Sequence, residues 1–200
     1  MPSFVHAQAT GMPTKTFRTV NDQSPDCPDN ARVGIGYDIH RLVPGCRLVL
    51  GGVHVRYERG FDTHSDGDVL SHALIDAMAG AIADGDLGTH FPEDDPEAED
   101  ARSLDFVVEF DQIVRARGYR VTSVDSFVVL GTVRLRPHLD AMRDNIAHAL
   151  GLPSDRVSVK ARSNDGLGLE GVGEAASATA IVLLSGPERQ PPGLGKDAER

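Results

Sequence analysis

The stretch Thr63-His64-Ser65-Asp66-Gly67-Asp68-Val69-Leu70-Ser71-His72-Ala73-Leu74 opens the segment whose reading decides the fold. From Val69 to Ala83 the apolar residues Val69, Ala73, Leu74, Ala77 and Ala81, with Leu70, Met78 and Ile82 beside them, recur at spacings of 3 to 4, which predicts a helix ended near Gly85. Upstream, Arg32-Val33-Gly34-Ile35-Gly36-Tyr37 alternates like a strand, and 47–50 and 53–57 flank Gly51-Gly52 as the arms of a hairpin would. Downstream, the pattern predicts a helix over 103–117 closed by Gly118, a strand over 119–130, a helix over 136–150 started by Pro137 and stopped by Gly151, and a strand over 156–161. A glycine-rich stretch, 164–173, then leads into a last strand, 174–184. Strands alternating with helices and no internal repeat predict one α/β domain of α+β layering, a mixed β-sheet packed against helices.

The chain of 200 residues suits one domain with short tails. Residues 1–31 carry four prolines and no sustained period, so they read as a flexible N-terminal extension; Met12 is a possible alternative start. Residues 186–200, opening on Gly186-Pro187, read as a flexible C-terminal tail, which leaves 32–185 as the catalytic core. Thirty Asp and Glu against twenty Lys and Arg give a net charge of −10, which opposes sequence-independent binding to phosphate backbones or anionic lipid. Nucleic acid and membranes are therefore not expected partners. Cys27 and Cys46 make neither a metal pair nor a disulfide framework. No apolar run reaches membrane-span length, and the N-terminus has neither a secretory core nor the acid-poor pattern of a transit peptide, so a cytoplasmic location is expected.

Asp38 and His40 stand two residues apart on a strand, whose period of 2 sends both side chains to one face. His72, at the start of the long helix, is the third candidate: one carboxylate, two imidazoles and an open fourth position suit a catalytic Zn²⁺. Asp76, four residues on, shares the helical face of His72 and is expected to accept its second ring N–H. An Asp-x-His pair alone is common on surfaces; what lifts this one is that charged groups interrupt stretches that otherwise read as buried. His54, His90, His138 and His148 lack such partners and read as exposed or satisfied histidines.

Tyr37-Asp38-Ile39-His40, Gly51-Gly52, His64-Ser65-Asp66-Gly67-Asp68 through His72-Ala73-Leu74, and Gly85-Asp86-Leu87-Gly88 with Phe91-Pro92 together resemble the 2-C-methyl-D-erythritol 2,4-cyclodiphosphate synthase family over about the whole core. The resemblance implies a homotrimer with sites between neighbouring subunits, a Zn²⁺ on Asp38, His40 and His72, and a second divalent ion, Mg²⁺ or Mn²⁺. It implies the conversion of 4-diphosphocytidyl-2-C-methyl-D-erythritol 2-phosphate into the cyclic diphosphate and CMP. That reaction brings two phosphate groups together, at a repulsion on the order of 10 kcal/mol near 6 Å and an effective dielectric of 20, so cations rather than a protein nucleophile are the expected agents. By motif position the resemblance places His64 and Ser65 on the phosphates and Asp86 and Gly88 on the methylerythritol hydroxyls, with a simple turn as the other reading of Asp86. Asp165 falls at the acidic position supporting the second metal, where Glu is common.

Some positions depart from the family pattern. Its Pro-Lys beside the cytidine phosphates is Val133-Arg134 here, which keeps the charge and changes donor geometry. Its Thr-rich run is Arg162-Ser163-Asn164, and the arginine of its Gly-Arg-Gly-Glu turn is Val172, which weakens the expectation of a ligand in the trimer's central channel. Two other functions fit the same residues: a diverged trimeric paralogue binding a phosphorylated ligand without turnover, and a Zn²⁺ hydrolase using a metal-bound water.

Overall fold

The computed structural model describes residues 30–92 and 101–186. The expected extension apart from Asn30 and Ala31, and the expected tail apart from Gly186, lie outside the described residues. In chain order the elements are β1 (Ala31–Pro44), β2 (Leu48–Leu50), β3 (Val53–Val55), β4 (Arg59–Phe61), α1 (Val69–Ile82), α2 (Leu87–His90), α3 (Ser103–Ala116), β5 (Arg120–Val129), α4 (Leu139–Leu150), β6 (Val157–Arg162), α5 (Gly168–Gly171) and β7 (Ala175–Ser185). Five strands form one mixed sheet in the order β4-β1-β7-β5-β6, in which only β5 and β6 run parallel; β2 and β3 make a separate hairpin. Three short elements, β4, α2 and α5, have no counterpart in the sequence reading, since three or four residues cannot display a period. β1 also runs on to Pro44, changing partners from β7 to β4 after Arg41.

The alternation of β1 has an unexpected sense. Its apolar residues face away from the helices: Val33 is 69% exposed, Ile35 68% and Tyr37 54%, and Ile181 and Leu183 of β7 extend the same apolar face. The residues facing the helices are Gly34 and Gly36, then Asp38 and His40. A methyl group on Gly34 would stand 1.8 Å from the Ala77 carbonyl oxygen, and one on Gly36 2.0 Å from that of Ala73, so only glycine lets α1 lie directly on the strand. Where the glycines end, opposite the first turn of α1, Asp38 and His40 take up the space.

α1 is apolar all round because it is buried all round, between the sheet and α3. Its N-terminus is held by Asp68, whose fully buried carboxylate accepts from the Leu70 and Ser71 amides and the Ser71 hydroxyl, and also from the Gly51 and Gly52 amides of the β2–β3 turn. Burial pushes the Asp68 carboxyl up from its ordinary value, with the charge of Asp66 acting in the same direction, while the Gly52 and Gly51 amides and the Ser71 hydroxyl pull it back. The helix stops at Ala83, two residues before the expected glycine, and that alanine adopts a left-handed conformation with φ of 55°. The same cap of amides and hydroxyl fixes where the first turn of α1, and therefore His72, stands relative to β1.

A candidate metal centre at the mouth of a pocket

Asp38, His40 and His72 each offer a ligand atom, and these atoms lie within 4.8 Å of one another. Asp38 Oδ2 is 3.0 Å from His72 Nδ1 and 3.3 Å from His40 Nε2. His72 is almost fully buried and the other two are half-buried, so the cluster is desolvated on the helix side and open on the other. Burial by itself would raise the Asp38 carboxyl; the hydrogen bond with His72 and the charges of His40 and His72 outweigh it and hold the group below its ordinary value.

The second ring nitrogen of His72 does not meet Asp76. Nε2 lies 2.9 Å from the hydroxyl of Ser103, and that hydroxyl is 2.5 Å from Asp66 Oδ1. Asp76 instead accepts the Leu87 amide at 2.8 Å and so fastens the start of α2 to α1; burial raises its carboxyl and that amide partly restores it. A shared helical face places Asp76 near His72, but the two ring nitrogens of His72 meet Asp38 and Ser103, and Asp76 turns to the Leu87 amide. Ser103 went unassigned because it is 31 residues away along the chain, and its one local signal is its place at the first position of α3.

These contacts test whether a cation fits. An ionised Asp66 only accepts, so the Ser103 O–H points to it and the Ser103 oxygen is left to accept from His72 Nε2–H. Nδ1 then faces the Asp38 carboxylate at 3.0 Å, where two lone pairs would repel unless a proton or a cation stands between them. That arrangement is satisfied by a positive centre between them. The donor set of two imidazole nitrogens and one carboxylate oxygen is the one a catalytic Zn²⁺ takes.

The cluster opens into a cavity of about 230 Å³. Thr63, His64 and Ser65 form one wall; Leu87, Gly88, Phe91, Pro92 and Phe106 form the other, with the rings of Phe91 and Phe106 stacked at 4.6 Å. Among the described residues no lysine or arginine lines it. His64 is exposed, and Ser65 is held by the Thr63 hydroxyl, which donates to its carbonyl at 3.0 Å. Asp86 sits just outside as the cap of α2, accepting from the Thr89 amide and hydroxyl, which draw its carboxyl down.

The other expected site residues lie elsewhere. Ile39 pairs with Ser177, Ser177 with Val129 and Val129 with Arg162, so Arg162 shares a row of the sheet with the cluster but stands three strand spacings away, about 14 Å. Arg134, Arg162, Ser163 and Asp165 are all exposed there, and none reaches the cavity. Asn164 and Asp165 both carry positive φ, 53° and 50°, a conformation non-glycine residues rarely adopt in succession.

Comparison with known proteins agrees with this geometry. The model of the YgbB family matches residues 31–185. The chain is 50% identical over 153 residues to the 2-C-methyl-D-erythritol 2,4-cyclodiphosphate synthase of Moorella thermoacetica, covering 76% of this chain and 94% of that one. Among solved structures it resembles a 2C-methyl-D-erythritol-2,4-cyclodiphosphate synthase in its CDP-bound form, at 36% identity and a TM-score of 0.71, over 77% of this chain and all of that one. It also resembles the bifunctional IspDF of Campylobacter jejuni, at 34% identity and a TM-score of 0.75, over 79% of this chain and 43% of that longer one. With the match spanning the sheet, the helices and all three clustered ligands, the chain belongs to the YgbB family.

Proposed function

We propose that this pocket carries out its cyclisation at a Zn²⁺ ion held by Asp38, His40 and His72, with Arg134, Arg162, Ser163 and Asp165 supplied by a neighbouring copy of the chain. The activity is that of a cyclodiphosphate synthase, a phosphorus–oxygen lyase of the methylerythritol phosphate route to isoprenoids. In 4-diphosphocytidyl-2-C-methyl-D-erythritol 2-phosphate an oxygen of the 2-phosphate bonds to the β-phosphorus, the bond from that phosphorus to the bridging oxygen breaks, and the oxygen leaves on CMP with the electron pair. The observation that carries this reading is an Asp-His-His cluster at the mouth of a pocket that no described lysine or arginine lines, where the substrate's diphosphate and 2-phosphate need positive charge.

A divalent cation at that cluster supplies the charge and polarises the phosphoryl oxygens. The chain's own residues do the positioning. His64 and Ser65 reach the phosphates from the loop before α1, while Gly88 and Asp86 at the start of α2 meet the methylerythritol hydroxyls, so the flexible substrate is bent until its two ends meet. The stacked Phe91 and Phe106 keep water from the far wall. Asp165 supports a second divalent ion, Mg²⁺ or Mn²⁺, and Arg134 and Arg162 bind the cytidine phosphates.

The homotrimer has its own support. The bare face of Val33, Ile35, Tyr37, Ile181 and Leu183 is a contiguous apolar surface on a sheet, the kind that closes against copies of itself. Copies packed by that face about one axis bring the β6 edge of one beside the β1 cluster of the next. No helix among the described residues is long and apolar enough to cross a membrane. The test is to incubate the protein with the cytidylylated substrate, Zn²⁺ and Mg²⁺ and follow phosphorus NMR. Appearance of the cyclic diphosphate with one CMP per turnover is expected; binding without turnover, or a linear hydrolysis product, would refute it.

A further inference from the structure

We propose that Asp66 and Ser103 form a relay that holds His72 in its Nε2–H tautomer and so presents Nδ1 to the bound cation, making Ser103 a positioning residue for the metal ligand. The inference rests on the reading of Asp38, His40 and His72 as ligands.

The contacts leave one place for the Ser103 hydroxyl proton. Ser103 is fully buried, and its hydroxyl has a single proton to share between Asp66 Oδ1 at 2.5 Å and His72 Nε2 at 2.9 Å. Given to His72, that proton would leave the Ser103 oxygen and the Asp66 carboxylate set lone pair against lone pair. Given to Asp66, it leaves the Ser103 oxygen free to accept from Nε2–H, and Nδ1 is left facing Asp38, where the cation would sit. Asp66 is itself tied down: Oδ1 also accepts the Ser103 amide at 3.2 Å and the Asp68 amide at 3.3 Å. The relay therefore runs from the loop that caps α1, through the first residue of α3, to the ligand. Because α3 also carries Phe106 of the pocket wall, one carboxylate sets both the metal ligand and that wall.

The experiment uses the full-length protein labelled with ¹⁵N-histidine. Long-range proton–nitrogen NMR, with Zn²⁺ bound and after its removal by a chelator, reads the protonated nitrogen of His72, and chelator competition reads Zn²⁺ affinity for wild type, Ser103→Ala, Ser103→Thr, Asp66→Asn and His72→Ala. In wild type the proton is expected on Nε2 and Zn²⁺ on Nδ1. Ser103→Ala should weaken Zn²⁺ roughly 10- to 100-fold, and Ser103→Thr, which keeps the hydroxyl, should recover most of it. Zn²⁺ on Nε2 with the proton on Nδ1 would overturn the relay, as would wild-type affinity in Ser103→Ala while His72→Ala loses the metal. If Ser103→Ala does not fold, the wild-type spectrum and the threonine variant decide. If wild type takes up no Zn²⁺ at all, it is the metal reading that fails, and a metal-free ring protonated on Nδ1 alone would overturn the relay separately.

Discussion

The two ends of one row across the sheet are built in opposite ways. At the β1 end, Asp38, His40 and His72 are packed under a helix, paired with one another and backed by Ser103 and Asp66. At the β6 end, Arg162 to Asp165 are exposed, the Ser163 hydroxyl accepts from the Asp165 amide, and Asn164 and Asp165 are left-handed. The first end is finished within one chain. The second has the composition of a phosphate site and none of its walls. A pocket that no described lysine or arginine lines and an arginine-bearing edge without a pocket are complementary, which is why a site shared between neighbouring copies is the arrangement we propose.

The contrast can be broken at either end. His72→Ala removes a ligand from the finished half and should abolish bound zinc and lower kcat/KM on the order of 10³-fold, read by elemental analysis and a CMP-release assay; equal zinc in wild type and variant would take His72 out of the centre. His148→Ala, on the exterior of α4, should keep its zinc. Asp165→Asn strikes the open half. If it supports a metal that neutralises charge on departing CMP, kcat should fall by roughly 10², and an intact kcat across a Mg²⁺ titration would reduce it to a turn residue. If Arg134 meets the cytidine phosphates, in ground and transition states alike, Arg134→Ala should raise KM by about tenfold with kcat nearly unchanged. Smallest is Asp125→Asn at the β5–β6 edge. Lys160 depresses the Asp125 carboxyl, so the pair stabilises the fold above the ordinary carboxylate pKa, and that contribution fades as pH falls through the depressed value. Both groups are about half exposed, so under about 1 kcal/mol is expected in denaturant titrations at neutral pH, shrinking as the pH falls through the depressed value.

The same division explains what could be read from the sequence. Asp38 and His40 were legible because a strand repeats every two residues, and His72 because a helix visibly begins around it. The five long elements after β1, namely α1, α3, β5, α4 and β7, followed from periodicity for the same reason. The relay through Ser103 was not legible, since no local period links residues 66, 72 and 103. Nor was the sense of β1: alternation reveals which side chains share a face, but Val33, Ile35 and Tyr37 look like core until Gly34 and Gly36 are seen against the backbone of α1. Apolar residues on the outer face of a single chain carry information about neighbours, which a one-chain reading assigns to the interior. The residues at the β6 end were found by likeness to a family alone, because exposed loop residues have neither period nor packing to announce them.

The central claim, that a working site joins the β1 end of one copy to the β6 end of another, is tested most directly by mixing two crippled variants. His72→Ala keeps an intact β6 end and Asp165→Asn keeps an intact β1 end. Unfolded together and refolded in equal amounts, they should form mixed trimers in which one site in three has both ends intact, giving about a quarter of wild-type CMP release. Activity no greater than the average of the two variants measured alone would contradict the shared site.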